Sequence, residues 1–401
     1  MADDGSGAPL LRQDVVAEVQ GALRHEDLDG WLLYDFHGLN PVAQSLLGLG
    51  KTTRRGFVLI PAEGRAVALT HAIERSAWRA WPFAIREYSS WRALEEELRG
   101  LLAGRTRLAM EVSPGGAVPT LDLVPGGLVG FLLGLGLEIT SSGDLVSRFH
   151  SAWTNRGLED HRKAGGIVAD LAGRAFRRAA DAAKAGTPTT EGRLSDWIRS
   201  ELRDAGIVHE ADCIVAVGSR AADPHYVPDG EGESIERGVL LLIDLWGGFE
   251  RSVAADQTWM GFLGPRIDER TAEVWKAVRD ARDAALSFLR ERYAAGDEVR
   301  GYEVDDVARG VIEERGFGPF FVHRTGHSID TSLHGSGPNL DNLESRDDRR
   351  LVPGVGFSVE PGVYIPGEIG VRSEINVHWG EDGPEVTPSE IQREIFLLLD
   401  D

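Results

Sequence analysis

Five ionisable side chains in the C-terminal part of the chain sit inside, or at the end of, runs that otherwise read as buried strands. Asp244 follows Val239–Ile243, and Asp256 lies within Ser252–Trp259. His327 ends Phe320–His327, Glu360 follows Gly356–Val359, and Glu374 follows Gly370–Ser373. A charge in a low-dielectric interior is strongly disfavoured unless it has a partner. Any fold that buries these strands must therefore bring the five groups to a common partner, and a pair of divalent cations supplies one. An oxygen-rich set with one imidazole suits Mn²⁺ or Co²⁺, with Zn²⁺ and Fe²⁺ also accepted. Such a pair acidifies a shared water and clamps reacting oxygens, so a hydrolytic centre is expected.

Each residue taken singly has a plainer reading. The chain has 64 acidic residues, and Asp244 and Asp256 alone are equally well read as turn acids or ion-pair members. His323 and His327 are four apart, as in helical zinc motifs, but Gly326 and the β-branched flanks favour a strand or loop. His225 in Pro224-His225-Tyr226 and His334 in Leu333-His334-Gly335 would, alone, be satisfied core histidines. Arg372, two residues before Glu374, shares its face on a strand and could simply be the partner of a buried carboxylate.

Composition narrows the classes. A net charge of -21 over 401 residues excludes general nucleic-acid binding, which needs a basic surface. Cys213 is the only cysteine, so neither a disulfide nor a thiolate metal cage is available. Met1–Ser6 lacks the basic-then-apolar layout of a signal peptide. Pro119–Leu137 is interrupted by Asp122, Pro125 and glycines, so it reads as loop and core, not as a membrane span. A cytoplasmic enzyme is expected.

The first half alternates strand-like runs (Trp31–Tyr34, Gly56–Ile60, Ala66–Leu69) with a helical stretch at Leu94–Leu102, giving an α/β domain over residues 1–155. Trp78, Trp81 and Trp91 read as core or interface. From about residue 158 the pattern changes. Ala164, Val168, Leu171, Ala175 and Ala179 mark one face of a long helix, which Gly186 and Pro188 should end. A second helix spans Glu191–Asp204, and strands bearing Asp244 and Asp256 follow. The order then repeats: a helix capped by Asp268 and ending at Gly296, a shorter one through Val304, Val307 and Val311 to Gly316, then strands bearing the remaining ligands. An α+β domain over 156–401, internally duplicated with the metal site between its halves, is expected.

The ordered series Pro224-His225-Tyr226, Ile243-Asp244-Leu245, Asp256-Gln257-Thr258, Gly326-His327, His334, Val359-Glu360-Pro361-Gly362 and Val371-Arg372-Ser373-Glu374 resembles the pita-bread metallopeptidases. That family includes methionine aminopeptidase, Xaa-Pro aminopeptidase, Xaa-Pro dipeptidase (prolidase) and creatinase. The first half resembles the creatinase-like domain of the proline-specific members, with Leu39-Asn40-Pro41 and Thr53-Arg54-Arg55. The resemblance implies a pita-bread fold with a pseudo-two-fold duplication, and two metal ions held by Asp244, Asp256, His327, Glu360 and Glu374. Asp256 and Glu374 would bridge, and Mn²⁺ would be the metal, with Co²⁺ or Zn²⁺ as alternatives. It further implies that Glu360 manages a proton, that His225 and His334 flank the scissile peptide as catalytic groups, and that His323 and Arg372 line the substrate pocket. A homodimer is implied as well.

Departures from the family pattern are local. Asp244 and Asp256 are one residue further apart than is usual in the proline-specific members, so a bulge or longer turn is needed. Trp259 stands where Arg is common, Ser328-Ile329-Asp330 replaces Gly-Ile-Gly, and Gly335 replaces Glu. The N-terminal domain argues against a methionine aminopeptidase, and the complete ligand set argues against creatinase. The implied reaction is hydrolysis of the Xaa-Pro bond in a proline-containing peptide. A dipeptidase that reads the free proline carboxylate through Arg346, Arg349 or Arg350, or through Arg55 if it enters from a partner subunit, comes first, and an Xaa-Pro aminopeptidase acting on longer peptides second. A catalytically silent binding protein on the same fold is the third reading.

Overall fold

In the computed structural model of the protein, which describes residues 8–50 and 52–400, the chain forms two units, Met1–His150 and Ser151–Asp401. The acidic stretch Met1–Ser6 lies outside the described residues.

The first unit is built on one mixed sheet. Its strands are β1 (Gly30–Asp35), β2 (Gly56–Pro61), β3 (Val67–His71), β4 (Ala84–Tyr88), β5 (Arg107–Met110) and β6 (Glu138–Ser141), in the order β4-β3-β2-β1-β5-β6. Side chains alternate across a strand, so Trp31 and Leu33 of β1 enter one core while Leu32 and Tyr34 enter another on the opposite face. Helices α1 (Gln13–His25), α2 (Pro41–Leu47), α3 (Trp91–Leu102), α4 (Gly126–Gly134) and the single turn α5 (Gly143–Val146) complete the unit. Pro119–Leu137 is not loop throughout: Gly126–Gly134 is helical, because five of its nine residues are Leu, Val or Phe and outweigh its glycines. Trp78 and Trp81 are buried, whereas Trp91, the first residue of α3, is 57% exposed.

The second unit repeats one element order. Helices α6 (Asn155–Lys184) and α7 (Glu191–Asp204) precede β7 (His209–Val217), β8 (Leu240–Gly248) and β9 (Ala255–Phe262). Helices α8 (Glu269–Ala295) and α9 (Gly301–Glu314) precede β10 (Ser328–Ile329), β11 (Gly356–Val359), β12 (Gly362–Ile365), β13 (Ile369–Arg372), β14 (Ile375–Gly380) and β15 (Gly383–Thr387). A last strand, β16 (Phe396–Leu397), returns to the first half. The sheets run β16-β9-β8-β7 and β10-β11-β14-β15, with β12-β13 as a separate ribbon. Local chemistry sets the helix ends. Thr154 accepts from Gly157 N at 3.0 Å to start α6, and Asp268 accepts from Thr271 N at 2.7 Å to start α8. Gly296, at φ 71°, closes α8 in the left-handed conformation that glycine adopts without penalty. The buried stripe of α6 includes Ala164, Val168, Leu171, Ala175 and Ala179, as the spacing predicts.

The same alternation prepares the site. In β8, Leu241, Ile243 and Leu245 pack towards α6 and α7, while Leu240 and Leu242 face the other core. Asp244 shares the parity of Leu240 and Leu242. In β9, Ala255 and Trp259 join the α6/α7 core and Met260 the other, so Asp256 and Thr258 lie on the face of Asp244.

Candidate metal centre

The β8–β9 ladder runs without a register shift from Leu240 opposite Phe262 to Gly247 opposite Ala255. Asp244 sits opposite Thr258, and Trp246 opposite Asp256. The wide spacing of the two aspartates is therefore absorbed by a longer turn, not by a bulge. Across from them, Gly326 lets the next stretch approach β11: a Cβ there would stand 1.9 Å from Ser358 O. His327 is thereby held beside Glu360, its backbone N–H donating to Ser358 Oγ at 2.9 Å while Ser358 Oγ donates to Glu360 Oε1 at 3.1 Å.

The nine residues expected to bind metal, act in catalysis or line the substrate pocket share one cavity of about 520 Å³: His225, Asp244, Asp256, His323, His327, His334, Glu360, Arg372 and Glu374. A larger groove of about 740 Å³ runs along α6 beside residues 388–397, away from these groups. Asp256, His327 and Glu374 each offer a ligand atom, and these atoms all lie within 4.8 Å of one another. His327 Nε2 is 3.5 Å from both Asp256 Oδ2 and Glu360 Oε1. Its Nδ1 lies 3.1 Å from Ser328 O. With the Nδ1 proton donated to that carbonyl, the Nε2 lone pair faces the carboxylates, as a ligating imidazole requires.

The fit to a cation rests on two atoms. Asp256 Oδ1 and Glu374 Oε1 are buried and have no hydrogen-bond partner among the described residues, although each belongs to a carboxylate with full acceptor capacity. Burial, then the negative charges of Asp256, Glu360 and Asp244, push Glu374 well above the ordinary carboxylate range. Burial likewise raises Asp256, against the opposing pull of His327. Burial also lifts Asp244 to about 7 although Arg372 pulls it down. Glu360 is held below its usual value because His327, His323, Arg372 and Arg324 together outweigh its burial. Four carboxylates gathered with one imidazole form a negative, dehydrated cage that a divalent ion satisfies.

Asp244 does not join the three-residue group. Its Oδ2 accepts from Arg372 Nη2, and its Oδ1 lies 3.1 Å from Thr258 Oγ1. Arg372 therefore fills the structural role considered for it while also lining the cavity. Thr258 is a hub that sequence reasoning passed over. Its hydroxyl is 2.8 Å from Glu374 Oε2 and accepts from Arg372 Nε at 2.8 Å. The signal was its parity with Asp256. Tyr364 was also missed: its hydroxyl lies 2.8 Å from His323 Nε2 and accepts from Arg372 Nη1 at 3.3 Å. Asn376 grips the backbone of Asp256 on both sides, accepting from its N–H at 2.9 Å and donating to its carbonyl at 2.8 Å.

Two histidines stand at the rim. His225 is exposed, on a loop organised by buried Glu191, which accepts from Val217 N, Tyr226 Oη and Glu233 N at 2.9, 2.8 and 2.8 Å. His334 meets His327 edge-on with ring centroids 4.4 Å apart, and burial with the neighbouring His327 lowers it to about 4. The arginines expected to read a carboxylate are engaged elsewhere. Arg349 is buried against Asp347 and Ser336 O, Arg350 pairs with Glu298, and Arg346 stacks on Tyr302. None of the three lines the cavity. Arg324 does, and among the described residues its guanidinium has no hydrogen bond or ion pair to a protein carboxylate.

The sequence pattern of metallopeptidase family M24 matches residues 162–381, a stretch that contains every one of these residues. The chain is 33% identical over 211 residues to the Xaa-Pro dipeptidase of Lactobacillus helveticus, covering 52% of each. The alignment thus spans about half the length of that curated relative. The structure is similar to that of dipeptidase PepE from Mycobacterium ulcerans, with a TM-score of 0.69, 22% identity and 96% of each chain covered. It is also similar to that of the X-Pro aminopeptidase from Thermotoga maritima, with a TM-score of 0.60, 24% identity, and 95% of this chain and 99% of that chain covered. These likenesses establish the fold, which is the pita-bread architecture the sequence resemblance implies.

Proposed function

The chain belongs to metallopeptidase family M24, and from that premise we propose that it hydrolyses the bond between an N-terminal residue and proline. The observation that carries the proposal is the pair of buried, unpartnered oxygens Asp256 Oδ1 and Glu374 Oε1, on two of the three residues whose ligand atoms gather within 4.8 Å of one another. In this reading Asp244, Asp256, His327, Glu360 and Glu374 would hold two divalent ions. When bound, the ions supply an acidified water and a polarised substrate carbonyl.

The protein's own groups do the rest. Glu360, oriented by Ser358 Oγ at 3.1 Å, takes a proton from the attacking water and returns it to the departing proline nitrogen. His225 and His334, at the rim of the cavity, donate to the oxygen that becomes anionic as the carbonyl turns tetrahedral. Thr258 and Arg372 fix the carboxylates, and His323 with Tyr364 shapes the wall where substrate lies. The tertiary Xaa-Pro amide has no N–H, so no acceptor is needed opposite it.

Arg324 supports the dipeptidase over the aminopeptidase. A guanidinium without a carboxylate partner, lining a cavity otherwise rich in acids, can take a free proline carboxylate in bidentate fashion. On the same reading Mn²⁺ is the proposed metal, and a cytoplasmic homodimer the proposed setting. Among the described residues no helix is long and apolar enough to cross a membrane.

The test is hydrolysis of an Xaa-Pro dipeptide and the matching Xaa-Pro tripeptide by Mn²⁺-loaded protein, with and without chelator. Chelator-sensitive cleavage confined to the dipeptide, with KM raised at least about tenfold in Arg324→Ala, supports the reading. Preferred cleavage of the tripeptide converts it to an Xaa-Pro aminopeptidase. No cleavage of either by metal-loaded protein would leave the silent binding protein.

A further inference from the structure

The loop that presents His334 has no regular structure, yet it is tied down at nearly every residue. Asp330, only 5% exposed, accepts from Ser332 N at 2.9 Å on one carboxylate oxygen and from Ser336 N at 2.8 Å on the other. Gly335 N donates to Ser328 O at 2.7 Å, closing the loop onto β10. From the opposite sheet, Glu210 accepts from Leu333 N at 2.5 Å, and His209 Nε2 lies 2.6 Å from Thr331 O. Glu210 reaches that position at a φ of 48°, a left-handed conformation that is costly for a residue with a Cβ. It lies in β7 where the pairing with β8 shifts register, between His209 and Asp212. Strain of this kind persists where the surroundings demand it.

Space couples the two ends of the loop. A Cβ on residue 335 would meet Asp330 Cγ and Oδ2 at 2.7 Å and Asp330 N at 2.9 Å. With Asp at 330 in this arrangement, 335 must be glycine. The departures Asp330 and Gly335 are therefore one device. Of residues 330–336, only Leu333 and His334 line the cavity, and they lie between the two amides that Asp330 holds.

We propose that Asp330, with Gly335 against it and Glu210 pinning Leu333 from the β7 bulge, is a positioning residue that aims His334 into the reaction cavity. The inference rests on the role given to His334 under Proposed function. Asp330 does not itself line the cavity; it acts by fixing a loop whose placement sets the imidazole.

The test compares Asp330→Ala, Asp330→Asn and Gly335→Ala with the parent protein, each Mn²⁺-loaded and with metal content measured. Asp330→Ala and Gly335→Ala should lower kcat on an Xaa-Pro dipeptide by about tenfold or more, with KM and bound metal little changed. Asp330→Asn keeps one carbonyl oxygen as acceptor and should recover part of the loss. In a His334→Ala background, Asp330→Ala should change kcat by less than about twofold, because the group it positions is gone. An equal loss in both backgrounds would overturn the proposal. Hydrogen exchange supplies a readout independent of turnover: amides of residues 332–336 should exchange faster in Asp330→Ala while α6 and β8 are unchanged. Unaltered exchange there would also overturn it. If the parent protein cleaves no Xaa-Pro peptide, the functional reading falls and exchange alone decides the clamp.

Discussion

At the residue scale the site is a balance of buried charge, and the balance can be probed one atom at a time. Glu374 is pushed so far upward by burial and by three neighbouring carboxylates that, without metal, Gln should imitate it. Glu374→Gln is expected to leave the melting temperature of chelator-treated protein nearly unchanged while abolishing the rise that Mn²⁺ gives the parent. Differential scanning fluorimetry with and without Mn²⁺ checks this, and a large loss of metal-free stability would contradict it. Arg372 behaves oppositely. Removing it leaves Asp244 buried beside only the Thr258 hydroxyl, so Arg372→Ala should cost roughly 3–5 kcal/mol in urea unfolding of metal-free protein at mildly alkaline pH. Protonation relieves an unpaired carboxylate, so that loss should shrink as pH falls. The five proposed ligands could be nominated from the sequence because an ionisable group in an apolar strand is anomalous. Thr258, Tyr364 and Asn376 were not, because a hydroxyl or amide in such a strand is unremarkable until its partners are known.

At the scale of elements, α6 docks on the β8–β9 hairpin through a polar lock as well as its alanine stripe. Gln257 Nε2 donates to Gly165 O at 3.0 Å, and His161 Nδ1 lies 2.8 Å from Ala254 O. Burial lowers His161 to about 4 despite the raising effect of that carbonyl. An unfolded histidine titrates near 6.5, so between about 6.5 and about 4 the unfolded chain binds the extra proton. The contribution of neutral His161 is therefore complete above the unfolded value and lost as pH falls towards the folded one, by about 3 kcal/mol at most. His161→Gln keeps a donor for Ala254 O but does not titrate. Its denaturation midpoint should fall less steeply over that interval, whereas parallel profiles would contradict the assignment. The helices were readable because caps and stripes are local, Asp268 and Gly296 on α8 being examples. The short strands β10, β12 and β13 were not separable in the sequence, since two- and four-residue runs carry too little periodicity to show where a ribbon leaves a sheet.

At the scale of the whole molecule, every group assigned to metal and substrate belongs to the second unit, while the first has its own two cores around a six-stranded sheet. Ligand binding to one folded unit raises the stability of that unit by mass action. Calorimetry of the full chain should show Mn²⁺ shifting the transition of residues 151–401, with a separate transition, where resolved, left in place. A uniform shift of all unfolding would show that the units unfold together. The duplicated order of helix pair and strands was legible from repeated caps and stripes, but the cage itself was not. It forms where β8, β9, the stretch before β10 and the stretches after β11 and β13 converge from positions far apart in the chain, and only the fold brings Asp256 and Glu374 together. The central claim is that these buried acids hold catalytic metal. Titrating chelator-stripped protein with Mn²⁺ in a calorimeter, while assaying Xaa-Pro dipeptide turnover at each step, tests it most directly. Two equivalents per chain, with activity rising as they bind and both lost in Asp256→Asn, are predicted. Full activity in the stripped protein, or no Mn²⁺ binding at all, would contradict it.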